Sequence, residues 1–123
     1  MVRSYRDLVV WQKAMELVVE CYRVTTLLPK EETYGLISQI QRAAVSIPAN
    51  IAEGHGREHL GDYLHHLSIA NGSLMELETH LLVAQRLGYV GPSETERALL
   101  LAAEVGRMLA ALTKKLKGRL PGA

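Results

Sequence analysis

Residues 59–87 read HLGDYLHHLSIANGSLMELETHLLVAQRL. Leu60, Tyr63, Leu67, Ala70, Leu74, Leu77, Leu81 and Ala84 recur there at alternating three- and four-residue steps. That rhythm places them on one face of a long α-helix, because 3.6 residues make a turn. Gly88 and the Gly91-Pro92 pair form the turn that follows. Working outward, the same periodicity predicts three more helices. The one after the turn runs over about 93–117, with Ser93 as N-cap, Glu96 at the capping-box position, and Leu101, Val105, Met108 and Leu112 as its core line. The one before it covers about 31–53, along Leu36, Ile40, Ala43 or Ala44, Ile47 and Ile51. Pro48 lies inside it, so a kink is expected there. Gly54-His55-Gly56 is read as its stop. The first helix covers about 5–28, opened by a Ser4/Asp7 capping box and ended by Pro29. Its core line is Leu8, Trp11, Met15, Val18 and Tyr22, widened by Ala14, Leu17 and Cys21. Gly118 and Pro121 close the chain.

No stretch has strand periodicity, and no internal repeat occurs. Four amphipathic helices joined by short turns define an all-α, antiparallel up-down-up-down four-helix bundle, kinked in its second helix at Pro48. The 123 residues suffice for one domain, spanning 1–123. Hydrophobic residues make up 48%, enough for a packed core. Apolar side chains surround most of the first helix, as in Leu8-Val9-Val10-Trp11, and exceed what one buried stripe needs. The surplus predicts self-association.

The single cysteine, Cys21, excludes an intrachain disulfide and a cysteine-rich zinc site. The absence of a long apolar run argues against a membrane partner, and the N-terminus lacks a signal-peptide pattern, so a cytoplasmic location is expected. Fourteen Lys and Arg against thirteen Asp and Glu leave a formal charge of +1. This total is unlike that of a strongly basic nucleic-acid binder. The distribution is uneven, however. Residues 1–30 carry +2, 31–58 carry −2, 59–91 carry −2 and 92–123 carry +3, with no acid after Glu104. In an up-down bundle, Arg3, Arg6, Arg57, Lys114, Lys115, Lys117 and Arg119 gather at one end, beside His55 and His59. Glu31, Glu32, Glu94 and Glu96 gather at the other. Such placement complements the helix dipoles, and it also makes the basic end a candidate site for the phosphates of nucleic acid.

Gln39, Arg42, Ser46, Asn50 and Glu53 recur on one face of the second helix, flanked by Ala43, Ala49 and Ala52. Small residues let another helix approach, and a polar line beside them predicts a structural or interface hydrogen-bond network. Its candidate partners on the third helix are Ser73, Glu76 and Glu78, and an Arg42–Glu pair within it would set register. No catalytic set emerges. Asp62-x-x-His65 has di-iron spacing once, and Glu16 and Glu20 are the carboxylates of helix 1, but there is no Glu-x-x-His pair to complete such a centre. Neither a phosphate-cradling glycine loop nor a triad occurs. Catalytic residues, metal ligands and cofactors are therefore all expected to be none, and the protein is expected not to be an enzyme. Of the adjacent His65 and His66, one is expected at an interface and the other in solvent.

Several stretches resemble a known family. They are Tyr5-Arg-Asp-Leu8, Val10-Trp-Gln-Lys-Ala-Met15 and Glu32-Thr-Tyr-Gly-Leu36, then Gln39 through Gly54 with its Ser-Ile-Pro-Ala-Asn-Ile-Ala-Glu-Gly run. Gly56-Arg57, Ile69-Ala-Asn-Gly-Ser-Leu-Met-Glu-Leu-Glu78 and Leu87-Gly-Tyr89 complete the match. Over residues 5–115 the chain resembles the small bacterial four-helix bundle family of 23S ribosomal RNA intervening-sequence proteins. The resemblance implies a left-handed bundle that assembles as a ring-shaped homopentamer, encoded within ribosomal RNA genes or as a free-standing gene. It also implies a relation to the accessory protein of diversity-generating retroelements, a strongly basic branch from which this near-neutral chain departs. The expected function is a non-enzymatic homo-oligomer that binds RNA or a ribonucleoprotein through its basic end. The alternative is a protein–protein scaffold without nucleic-acid contact.

Overall fold

The computed structural model describes residues 2–120. Among them are four α-helices and no strand: α1, Val9–Thr25; α2, Leu36–His55; α3, Leu60–Arg86; and α4, Pro92–Lys117. Pro121 lies outside the described residues. Two single turns of 3-10 helix, Tyr5–Asp7 and Lys30–Glu32, precede α1 and α2.

The boundaries depart from the periodicity for local reasons. The Ser4/Asp7 capping box forms, but it caps a lone 3-10 turn, and the extended backbone of Leu8 separates that turn from α1. The half-buried Leu8 packs against the core at this break. Helix α2 starts later than about residue 31 because Glu32 stays in its own short turn. Its Oε1 accepts from the Leu36 backbone N–H at 3.0 Å and so caps α2 from outside. At the other end α2 stops within the Gly54-His55-Gly56 triplet, with Gly56 as its C-cap, while Gly54 itself is still helical. Helix α4 begins at Pro92, not Ser93. The ring of Pro92 supplies the fixed φ of a first helical residue, and Glu94 Oε1 accepts from the Gly91 N–H at 2.6 Å. Glu94 rather than Glu96 therefore reaches back to the N-cap, and because that residue is Gly91 only this half of a capping box forms. Between α3 and α4, Gly88 adopts φ +77°. There the Tyr89 N–H donates to Ala84 O at 3.1 Å, a glycine-dependent helix stop.

Helix α1 packs on α2 and α4, and α3 packs on the same two, with no diagonal α1–α3 or α2–α4 contact among the described residues. One core joins all four helices. Leu17, Ile40, Ile47, Ile51, Leu67, Leu74, Leu77, Leu81 and Leu109 are its largest fully enclosed members. On α3 the expected line is buried from Leu67 to Ala84, while Leu60 and Tyr63 are half-buried. On α1 the expected line is displaced. Val10, Ala14, Leu17, Cys21 and Val24 face the core, whereas Met15 and Tyr22 are exposed. An apolar belt on both sides of α1 made the two registers indistinguishable by spacing alone. On α4 the buried line passes through Leu101, Val105, Leu109 and Leu116, leaving Met108 and Leu112 half-buried.

Partner pairs fix how neighbours align. From α2 to α3 they are Ser46 with Ser73 and Asn50 with His66. From α1 to α4 they are Lys13 with Glu104 and Glu20 with Arg97. From α3 to α4, Gln85 Nε2 donates to the buried Thr95 hydroxyl at 2.6 Å.

Candidate functional site

Tyr63, in the first turn of α3, is where three helix ends meet. Its ring stands edge-on to His55 at the end of α2, with centroids 5.8 Å apart. Gly54 sits directly against it. A Cβ on Gly54 would fall 2.8 Å from His66 Cβ, 3.1 Å from Tyr63 Cδ1 and 3.2 Å from Tyr63 O. Glycine is thus required by the close approach of α2 to α3, and this is why helix α2 contains it rather than ending at it. Burial pushes the Tyr63 phenol above its ordinary pKa, opposed by the positive charge of Arg119. Arg119, just beyond α4, therefore lies within electrostatic reach of this ring.

Lys114 and Lys117 form part of the wall of a groove of about 520 Å³ between α3 and α4. The groove is floored by Leu64, Leu67 and Leu109, and Ser68, Asn71 and Thr113 line it as well. Arg57 follows α2 immediately and pairs with Glu53 at 3.6 Å. The structure thus gathers Arg57, Lys114, Lys117 and Arg119 around the start of α3. Arg3 and Arg6 belong to the N-terminal turn, which packs on α1 and α2. The guanidinium of Arg6 lies over the Tyr5 ring, 5.6 Å from its centroid, and Tyr5 meets Trp11 edge-on at 5.2 Å. Lys115 is exposed and does not line the groove. Acids are interspersed: Asp7 accepts from the Arg3 and Ser4 N–H groups, and Glu58 and Asp62 are exposed at the start of α3.

The polar line of α2 divides in two. Asn50 Nδ2 donates to Ser46 O at 2.9 Å and to Ser46 Oγ at 3.1 Å. Ser46 Oγ meets Ser73 Oγ at 2.8 Å. With its amide nitrogen committed to a carbonyl, Asn50 presents Oδ1 to His66 Nδ1 at 3.0 Å, so Nδ1 carries the hydrogen. His66 Nε2 lies 3.3 Å from Glu53 Oε2, a contact that becomes an ion pair only when the imidazole is protonated. Ser46, Asn50, His66 and Ser73 thus form one continuous α2–α3 network, with Glu53 at its edge. His66 is its interior histidine, while His65 is exposed. Spacing within α2 did not single out His66, because the signal lay in a second helix. Gln39, Arg42 and Glu76 are outside the network. All three are exposed, and among the described residues none has a side-chain hydrogen bond or ion pair within the chain. The expected Arg42–Glu pair is therefore not made among the described residues.

The opposite end is more mixed than the distribution of acids suggested. Tyr89 OH donates to Glu32 Oε2 at 2.9 Å. The Leu36 backbone bond and this one hold the Glu32 carboxyl below the usual carboxylate range, and the same bond raises the Tyr89 phenol. Arg23 Nη2 donates to Glu94 O at 2.8 Å, which brings a base among the acids. Glu31 and Glu96 are exposed. Between the ends, α1 and α4 face each other through ion pairs. Glu20, its side chain only 11% exposed, accepts from Arg23 Nε at 2.9 Å and Nη2 at 2.6 Å, and Arg97 Nε lies 3.8 Å away. Glu16 pairs with Lys13 at 3.5 Å and Arg97 at 3.8 Å. Both carboxylates of helix 1 are thereby engaged by cations. Among the described residues no three His, Cys, Asp or Glu side chains converge as metal ligands. Burial and the neighbouring Glu20 charge push the Cys21 thiol up to about 12, so at neutral pH it is a protonated core side chain rather than a nucleophile. No described helix is long and apolar enough to cross a membrane.

Fold and site together define a small all-α protein with one shared core, a cation-bearing end and a hydrogen-bonded α2–α3 seam. The model of the 23S rRNA-intervening sequence protein family matches residues 6–111, and the chain belongs to that family. No curated protein sequence matches it.

Proposed function

We propose that the protein is a non-enzymatic, cytoplasmic, single-domain homo-oligomer, a pentamer, that binds RNA or a ribonucleoprotein through its basic end. Each protomer is an antiparallel up-down-up-down bundle with a kink at Pro48, a reading supported by the order of the helix–helix partner pairs and by the proline inside α2. The observation that carries the functional reading is the placement of four cations about the start of α3: Lys114 and Lys117 line the groove beside Leu64, the charge of Arg119 reaches Tyr63, and Arg57 directly follows α2. Clustered cations at helix ends recruit phosphates and release their counterions, so binding falls steeply with salt. A near-neutral total restricts that attraction to this end and lowers the expected affinity. The test is a gel shift on structured RNA at about 50 mM salt. A shift that disappears when Lys114, Lys117 and Arg119 are changed to Glu supports the reading, and no shift for the wild type overturns it.

A second reading, a scaffold that never touches nucleic acid, is favoured by the apolar side chains that the bundle leaves in water, Val19, Leu87 and Leu100 among them. Partners retained in a pull-down after nuclease treatment favour the scaffold, and partners lost favour the RNA reading.

A further inference from the structure

Two exposed charges of opposite sign stand unpaired, each on an apolar face. Arg42 lies in a shallow hollow between α1 and α2, beside Tyr22 and Val45. Along α1 the outward stripe continues through Gln12, Met15 and Val19, and Val19 is 70% exposed. On the outer side of α3, the residues Ile69, Gly72, Glu76, Thr79 and Val83 repeat at alternating three- and four-residue steps, and all are exposed. Nothing lies within 4 Å of where a Cβ on Gly72 would sit, so this stripe is open to a helix from outside. Met75 flanks it and is also exposed.

We infer that Arg42 of one copy pairs with Glu76 of a second copy, the α1–α2 face of the first lying against the outer face of α3 of the second. The inference rests on the homo-oligomer of the proposed function and names the faces that make it. Three observations support it. Among the described residues Arg42 and Glu76 have no side-chain hydrogen bond or ion pair, whereas Lys13, Glu16, Glu20, Glu53 and Arg97 all have one. The two charges are opposite in sign and similarly set: Arg42 stands beside Tyr22 and Val45, and Glu76 lies in the exposed stripe of Ile69 and Val83. Both faces expose large apolar side chains that an aqueous monomer leaves unburied. Because one chain carries both halves, the matching occupant is another copy of the same chain. The halves are different surfaces, so the contact is head-to-tail.

Sedimentation of the full chain and its charge variants tests this. The wild type is expected well above 13.6 kDa at micromolar concentration. Arg42→Glu and Glu76→Arg should each weaken self-association at least tenfold, with helical circular dichroism unchanged. The double swap Arg42→Glu/Glu76→Arg should restore the wild-type species. Arg42→Gln and Glu76→Gln, gentler changes, should each give a partial loss. A wild type sedimenting as a monomer overturns the oligomer itself. An oligomer indifferent to all four single variants leaves the oligomer standing and overturns the assigned faces. Single variants that dissociate without rescue by the swap overturn the direct pair.

Discussion

The α2–α3 seam and the α1–α4 seam join equivalent neighbours by different physics. Between α2 and α3 the contact is close and nearly charge-free: Gly54 lets the backbones approach, and Ser46, Asn50, His66 and Ser73 satisfy one another. Between α1 and α4 the contact is edged by ions, with Lys13, Glu16, Glu20, Arg97 and Glu104 spread along the helices. Enclosed neutral hydrogen bonds are short-ranged and directional, so they specify register and are costly to leave unpaired. Exposed ion pairs are loose and screened by salt, and each contributes little. One seam therefore sets how the helices fit, while the other tolerates change.

The strongest way to break this contrast is at Gly54. Gly54→Val places a branched side chain where even a Cβ meets His66 and Tyr63, and should cost about 3 kcal/mol in urea unfolding. Gly61→Ala, in the first turn of α3 with nothing within 4 Å of its Cβ position, should instead stabilise by about 0.5 kcal/mol, because alanine gains helix propensity without a clash. Equal effects at the two glycines would remove the case for a close seam. Next comes Asn50→Ala, which strands His66 Nδ1 and removes one of the two bonds of the Ser46 hydroxyl, and should cost about 1–2 kcal/mol. That loss should be the same in low and high salt.

Arg97→Ala probes the other seam. It removes one exposed cation from Glu16 and Glu20 and should cost about 0.5 kcal/mol at low ionic strength. The difference from wild type should vanish in about 0.5 M NaCl, and a salt-independent loss would show that this seam, too, is held by packing.

The smallest effect lies at the acid-bearing end. Glu32 is held below its ordinary range by Leu36 N–H and Tyr89 OH. Its contribution to stability is therefore present above the unfolded carboxylate pKa and lost as pH falls through the lower folded value. Tyr89→Phe removes one of the two bonds, so the Glu32 titration followed by carbon NMR should move back up toward the ordinary range. An unmoved titration would assign the whole depression to the Leu36 bond.

Much of this was readable from local signals. The three–four rhythm of Leu67 to Ala84 located α3 because those residues are enclosed on one side only. The Ser4/Asp7 box was readable for the same reason, although it caps a single turn and not the long helix. On α1, where apolar residues surround much of the helix, spacing favoured the line through Met15 and Tyr22, and packing selected Ala14, Leu17 and Cys21. The reach of the Arg119 charge to Tyr63 was not readable, because Tyr63 carries no charge and so gave no electrostatic signal. His66 was invisible as a network member because its partner Asn50 lies 16 positions earlier.

By itself the sequence determined the helical class, the number of helices, most of the core of α2 and α3, and where the charges fall along the chain. Those properties depend on periodicity and composition, which act over a few turns. Tertiary structure alone decided which side of α1 is enclosed, that Gly54 is a close contact within the triplet that ends α2, that His66 completes the α2–α3 network, and that Arg42 finds no acid among the described residues of its own chain. Each of these depends on what a second helix places within about 3–4 Å, a distance that residue order does not encode until the helices pack.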